Sequence, residues 1–466
     1  MLSQRRRRFR AYAVATAALL ASAFAAAGAQ SATKPLTFPV EYQKLKNGLK
    51  VVLSPDHTTP TAVVGVYYGV GFRLEPKGRT GFAHLFEHLM FQGSQNLGKM
   101  GFIKLIEGNG GTLNGSTRFD FTNYFQIVPA HTVEPVLWAE ADRMRGLAID
   151  TANLVNQQGV VKNEVKVNVL NAPNGGFPWL SMPQIANTAW QNAHNFYGDL
   201  TELDAATLED AKAFFKTYYA PNNATLVIVG DFDSKTVMAW VHKYFDNIAS
   251  SPPPPPVDIS EPRQTAEKRV AQTDPLAKRP ALALAYHLPD RFTPEWYAFG
   301  MIEQLLGRGR DSRFYQEVVQ KRGYTSGVAT STNPLGNMFN YKGPMLWEIW
   351  LSHDATTPAD SIVNVIERTI VDLQKTPITA AELARARMKW RSEFYSMLEG
   401  GFGLGRGDIM ASLALFDDDP SRINRLEPEF MKVTPELIQK TAREYLRTTN
   451  RTILTLTPAP AAPKSN

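Results

Sequence analysis

Two stretches of the chain, 227 residues apart, read as copies of one another. Thr207-Leu208-Glu209, Tyr218, Asn223 and Thr225 recur in the same order and without a gap as Thr434-Pro435-Glu436, Tyr445, Asn450 and Thr452. In each copy a threonine-capped helix leads through a turn into an apolar strand, over 226–229 and 453–456. A repeat of this kind commits the chain to building one unit twice. Between the copies Ser250-Ser251 is followed by five prolines, 252–256, which favour an extended spacer without hydrogen bonds of its own. The expected organisation is a first domain over 36–249, a linker over 250–264 and a second domain over 265–457. A tail of Pro, Ala, Lys, Ser and Asn over 458–466 reads as disordered. At 466 residues the chain has ample length for such a pair of cores.

The local patterns point to an α+β class in both halves. Residues 61–70 are rich in Val and Tyr, as a strand requires. Phe119, Phe121, Phe125 and Ile127 alternate with Asp120, Thr122, Tyr124 and Gln126, the period of a strand. Long helical stretches are expected at 132–148, 204–219, 235–247 and 360–399.

Residues 1–29 resemble an export signal. Arg5, Arg6, Arg7, Arg8 and Arg10 precede an alanine-rich run, and Ala27-Gly28-Ala29 offers a cleavage site. The expected location is the bacterial periplasm or beyond it. The same five arginines account for most of the formal charge of +6, leaving +1 without them. That removes the electrostatic case for a nucleic-acid partner. No other segment approaches 18 apolar residues, so no stable membrane span is expected. There is no cysteine, which excludes disulfides, thiolate nucleophiles and cysteine-bound zinc.

Residues 84–88 read His-Leu-Phe-Glu-His. On a helix His84, Glu87 and His88 share one face, with Phe82, Leu85, Phe86 and Leu89 on the other. Two imidazoles four residues apart can grip one metal ion, and a neighbouring carboxylate can act as general base. An amphipathic helix whose wet face happens to carry these residues is the plainer alternative. The other histidines, His57, His131, His194, His242, His287 and His353, have no ligand spacing and read as structural or surface. Gly307-Arg308-Gly309-Arg310 lacks the Lys-Ser/Thr of a phosphate-binding loop and reads as a plain turn.

About 75 residues after the histidine motif comes Gly159-Val160-Val161-Lys162-Asn163-Glu164, on a weak helix signal. Together the two motifs resemble the pitrilysin/insulinase family of zinc metallopeptidases, which includes the mitochondrial processing peptidase. Gly110-Gly111-Thr112-Leu113-Asn114-Gly115-Ser116-Thr117 and Thr122-Asn123-Tyr124-Phe125 are also similar to that family. The resemblance implies two homologous roll-like domains, each a mostly antiparallel sheet flanked by helices. It implies a zinc endopeptidase for peptides or unfolded polypeptide, with one Zn²⁺ per chain held by His84, His88 and Glu164. Glu87 is then the general base that activates a zinc-bound water.

The resemblance also implies that substrate adds as a β-strand along Asn114, Gly115 and Ser116, although Asn-Gly is equally a hairpin signal. Many members carry a glutamate seven residues before the ligand glutamate; here Gln157 stands there, able to orient a ligand but without charge. Residues 299–306 match the histidine motif in pattern but place Gly300 and Gln304 at the imidazole positions, so the second copy is expected to hold no metal. The family's substrate-gripping Arg and Tyr, seven residues apart, fall here on Val319 and Ser326. A second two-domain chain is therefore expected to complete the site. A heterodimer with a homologous subunit lacking the zinc motif is the first choice, and a homodimer the second. A non-catalytic scaffold or processing-complex subunit of the same fold is the alternative function, and a small-molecule hydrolase a weaker one.

Overall fold

The computed structural model describes residues 36–459. The expected export signal and residues 460–466 of the expected tail lie outside the described residues. One compact unit begins at Phe38 and contains both sheets.

The first sheet has six strands in the order β1-β2-β6-β3-β5-β4: β1 Glu41–Lys44, β2 Lys50–Pro55, β3 Thr61–Tyr68, β4 Thr112–Thr117, β5 Thr122–Pro129 and β6 Ala224–Gly230. The second has five in the order β7-β11-β8-β10-β9: β7 Lys268–Asp274, β8 Ala281–His287, β9 Ala329–Ser331, β10 Leu346–Ser352 and β11 Arg451–Pro458. Apart from β1, the orders are the same. The one parallel pair in each, β2 with β6 and β7 with β11, also corresponds. The fold is α+β, two similar mostly antiparallel sheets flanked by helices.

The repeated residues make repeated contacts. Thr207 and Thr434 cap the helices Leu208–Tyr218 and Pro435–Tyr445 through their side chains. Asn223 Nδ2 donates to the Tyr218 carbonyl at 2.9 Å, and Asn450 Nδ2 to the Tyr445 carbonyl at 2.7 Å. Each asparagine thus closes the turn between its helix and the strand that follows.

Each sheet is covered on both faces. Val64, Val66, Tyr68 and Ile228 pack with Leu85 and Phe86 of the helix Phe82–Leu89. On the opposite face Val63, Tyr67, Val227 and Val229 join a core that includes Ile409, Met410 and Leu413 from the second half. The second sheet answers in kind. Trp347, Ile349 and Leu284 face the helix Pro294–Leu306, whereas Ala283, Ala285, Leu346 and Leu454 lie beneath Met182 and Ala186 of the first half. Each half therefore lends a piece of itself to the other's sheet.

Two expected elements differ. The helical stretch expected over 360–399 is two helices, Ala359–Lys375 and Ala380–Asp417. Pro377 interrupts the first, and Thr379 starts the second with a capping box to Glu382. The second then leaves helical geometry at Gly400, Gly401, Phe402 and Gly403 before its last segment reaches the first sheet. The alternation expected from Phe119 enters the strand only at Thr122. Within β5, Tyr124, Gln126 and Val128 are buried while Phe125 and Ile127 are partly exposed. Gln126 tolerates burial because its Nε2 donates to Glu140, which is in turn bonded by Arg143.

Candidate metal centre

His84, Glu87 and His88 lie on the helix Phe82–Leu89. The apolar face of that helix, Phe82, Leu85, Phe86 and Leu89, is buried and fixes which way the polar face points. Its start is held from outside. Gly81 N–H and Ala83 N–H donate to the carboxylate of Glu75 at 2.8 and 2.7 Å, a negative group at a helix N-terminus. His194 Nε2 approaches the same carboxylate at 3.6 Å.

Glu164 arrives on the helix Thr151–Val165, started by Asp150, whose side chain accepts from Asn153 N–H. Leu154, Val161 and Val165 are buried on one side of that helix, in spite of Gly159 and its weak local propensity. Glu164 Oε2 lies 3.2 Å from His88 Nε2, and Oε1 lies 3.6 Å from His84 Nε2. Candidate ligand atoms of the three residues lie within 4.8 Å of one another. Among the described residues, this is the one such grouping of three.

Burial, and next the proximity of His88, push the His84 imidazole down to about 4, so it is neutral with a lone pair to offer. The hydrogen bond with His88 is the chief reason Glu164 is held below the usual carboxylate range. Two imidazoles and one carboxylate form a donor set that suits zinc and leaves a position for water. The residues present fit the ion.

Glu87 is set apart from these three. Thr117 Oγ1, at the end of β4, donates to Glu87 Oε2 at 2.7 Å. Burial raises the Glu87 carboxyl, and the Thr117 hydrogen bond opposes that rise. A carboxylate poised upward in this way is suited to taking and returning a proton.

Asn114, Gly115 and Ser116 lie inside β4, not in a turn, and β4 is the edge strand of the first sheet. A Cβ at Gly115 would meet Glu87 Cγ at 3.2 Å, so glycine lets the strand run close against the Glu87 side chain. Asn114 Oδ1 accepts from Gly115 N–H at 2.8 Å, and Ser116 Oγ donates to Asn123 Oδ1 at 2.5 Å. Gln157 is buried on the Glu164 helix, and its amide donates to Asn156 at 2.7 Å rather than to either imidazole.

Three contributors escape a reading of the sequence. Tyr197 O–H donates to Glu164 Oε1 at 3.1 Å, and its ring stands edge-on to His84 at 5.0 Å. Thr117 and Glu75 complete the set. None has a motif spacing to betray it; Thr117 follows the Asn-Gly-Ser run directly, the only local signal available. In the second half, Gly300 and Gln304 lie on the helix Pro294–Leu306. A Cβ at Gly300 would strike the Phe430 ring at 2.5 Å, and Gln304 donates to Glu393 at 2.7 Å.

A family model described as Insulinase (Peptidase family M16) matches residues 50–194, and one described as Peptidase M16 inactive domain matches 205–389. The zinc protease PqqE of Helicobacter pylori is 27% identical over 424 residues, covering 89% of this chain and 92% of that protein. The yeast (Saccharomyces cerevisiae) mitochondrial-processing peptidase subunit beta is 22% identical, covering 77% of this chain and 78% of that one. The crystal structure of a protease from Helicobacter pylori superposes with a TM-score of 0.83 at 26% identity, covering 90% of this chain and all of that one.

Proposed function

We propose, from the premise that this chain belongs to the insulinase (M16) family of peptidases, that it is a zinc-dependent endopeptidase acting on peptides or unfolded polypeptide segments. One observation carries the proposal: His84, His88 and Glu164 converge beside Glu87 and beneath an unpaired strand edge. Its relatives include proteins named zinc proteases, which favours zinc over other divalent ions.

In this reading His84, His88 and Glu164 hold the ion. When bound, it supplies Lewis acidity toward a peptide carbonyl and toward water. Glu87 accepts the proton of the attacking water and later returns it to the leaving amine. Thr117 keeps the Glu87 carboxylate turned toward that task, and Tyr197 does the same for Glu164. Substrate adds to the free edge of β4, so main-chain hydrogen bonds orient the scissile bond with little demand on sequence. For this to happen Asn114 must release Gly115 N–H, which then donates to a substrate carbonyl.

The proposal includes export by the segment 1–29 to a periplasmic location. It also includes a second, homologous subunit, a heterodimer before a homodimer, because Val319 and Ser326 offer neither a cation nor a phenol. A non-catalytic subunit of the same fold is the second reading. The match of 205–389 to an inactive domain, and 23% identity with a Caenorhabditis elegans cytochrome b-c1 complex subunit 1, favour it.

The deciding experiment measures metal content together with cleavage of a quenched peptide library, with and without chelator and with and without a co-expressed homologous subunit. About one zinc per chain and chelator-sensitive cleavage are expected. Glu164→Gln should lower zinc affinity by at least the roughly tenfold to hundredfold that loss of an outer-shell partner costs. Stoichiometric zinc with no cleavage under any of these conditions would hand the case to the second reading.

A further inference from the structure

A cavity of about 680 Å³ lies over the face of the second sheet that the first half covers. Phe177 and Trp179 from the first half form one side, and Ser331, Glu348 and Trp350 of β9 and β10 another; Arg308 also lines it, with its Nε donating to Glu303 at 2.9 Å. Glu348 is fully buried, and neither of its carboxylate oxygens has a hydrogen-bond partner. An ionised carboxyl is strongly disfavoured in such a place unless a cation meets it. Packing alone does not call for an acid here. Leu346, Ala283, Ala285 and Leu454 on the same face are apolar, and the hydroxyls of Ser331 and Thr452 in the row of Glu348 do not bond it.

The duplication supplies an internal control. Glu348 pairs with Ser331 on one side and Ala285 on the other, and Ala285 pairs with Thr452. The matching row in the first sheet is Ser116, Asn123, Tyr67 and Thr225. Asn123 is also buried, but it is neutral and Ser116 donates to it. At the corresponding place the second half has an ionisable group, an aromatic wall and no hydrogen-bond partner for that group.

We propose that this cavity receives a basic side chain, Lys or Arg, of the bound polypeptide, with Glu348 as its counter-ion and Trp179 and Trp350 as its aromatic walls. Cations sit favourably over indole faces, and more so where water is thin. Burial alone pushes the Glu348 carboxyl up to about 8, so the group gives up a proton as the cation arrives. The cavity is joined to the metal centre by contact. The Trp179 ring lies 5.7 Å from Phe196 and 6.0 Å from Tyr197, and Tyr197 holds Glu164. A polypeptide laid along the site can thus place one side chain here while its backbone stands at the ion. The inference rests on the peptidase reading for the identity of its ligand.

The test uses the full chain and quenched peptides that differ only in arginine or its neutral isostere citrulline, walked through the positions flanking the cleaved bond. Wild-type protein should prefer arginine at one position by about tenfold or more in kcat/KM. The arginine-to-citrulline ratio should fall to about one in Glu348→Gln. It should also fall in Ser331→Lys, which sets an ammonium directly across from Glu348. Thermal unfolding of each variant accompanies the ratios, and Ser331→Lys carries the test if Glu348→Gln does not fold. A wild-type ratio near one at every position, or a ratio retained in both variants, overturns the proposal and leaves the peptidase reading standing. If no peptide is cleaved, the same labelled pairs are titrated by fluorescence anisotropy. An arginine preference that needs Glu348 then upholds the pocket independently of the peptidase reading, which the co-expression experiment decides, and its absence overturns the pocket.

Discussion

The two halves take the same helix position in opposite directions. In the first, Glu87 has one hydroxyl from Thr117 and two imidazoles nearby, and its carboxyl is left with capacity to spare. In the second, the matching Glu303 is bound by Arg308 at 2.9 Å, Gln304 is occupied by Glu393, and Phe430 fills the space at Gly300. One copy leaves its acid able to exchange a proton, and the other ties its acid to a guanidinium and its amide to a carboxylate. Chemistry needs the first state and stability the second. Glu348, unlike Glu303, has no cation or hydrogen-bond donor at its carboxylate.

The sharpest way to break this comparison is Glu87→Gln. It should retain zinc and lower kcat by about 10³-fold, as loss of a general base does; full turnover in clean preparations would sink the mechanism. Next in size is Glu348→Gln without substrate. Because the folded carboxyl is raised to about 8 from 4.5, the native state holds a proton the unfolded chain releases, so wild-type stability falls as pH rises between those values. The variant lacks that slope. Its gain on wild type between pH 5 and pH 8.5, read from urea unfolding, should be on the order of 3 kcal/mol; parallel curves would contradict it.

Gly300→His asks whether the second copy can be made like the first. Overpacking against Phe430 should destabilise by about 2 kcal/mol without adding a second zinc, measured by calorimetry and metal analysis. Two zincs per chain would show that the missing imidazole alone keeps the second copy free of metal. Thr117→Val removes the hydrogen bond that lowers Glu87, at roughly 1 kcal/mol. The Glu87 carboxyl then rises further, and the acidic limb of the kcat profile should move to higher pH; an unmoved limb would remove Thr117 from the proposal. Smallest of all, Gln304→Ala should leave zinc content unchanged.

What was legible in the sequence follows from the range of each signal. The duplication showed in Thr207, Asn223 and their counterparts because caps and turns are local chemistry. His84, Glu87 and His88 were legible because helical periodicity puts them together whatever else the chain does. Glu164 needed resemblance to a family, since nothing local ties position 164 to position 88. Tyr197 and Glu75 stayed hidden for the same reason, without a motif to help, and Thr117 lay in a family-like stretch that gave no hint of its bond to Glu87. The break at Pro377 was visible in the chain but was outweighed by the apolar periodicity on both sides of it. The partners of Gln126, Glu140 and Arg143, lie outside its own strand, and a period-two reading has no access to them. The missing partner of Glu348 is likewise a property of its surroundings, not of its neighbours in sequence.

The exchange of covers between the halves bears on how such a molecule can come apart. Residues 181–186 seal the second sheet, and the segment after Gly403 seals the first. Cutting the proline strap would sever the covalent link yet leave both seals in place, so a nicked chain should travel as one particle. Either half produced by itself, by contrast, would expose a sheet face made for its twin and invite self-association. Once two such copies have made this exchange, separating them uncovers a face of each sheet. The halves are now each other's solvent shield.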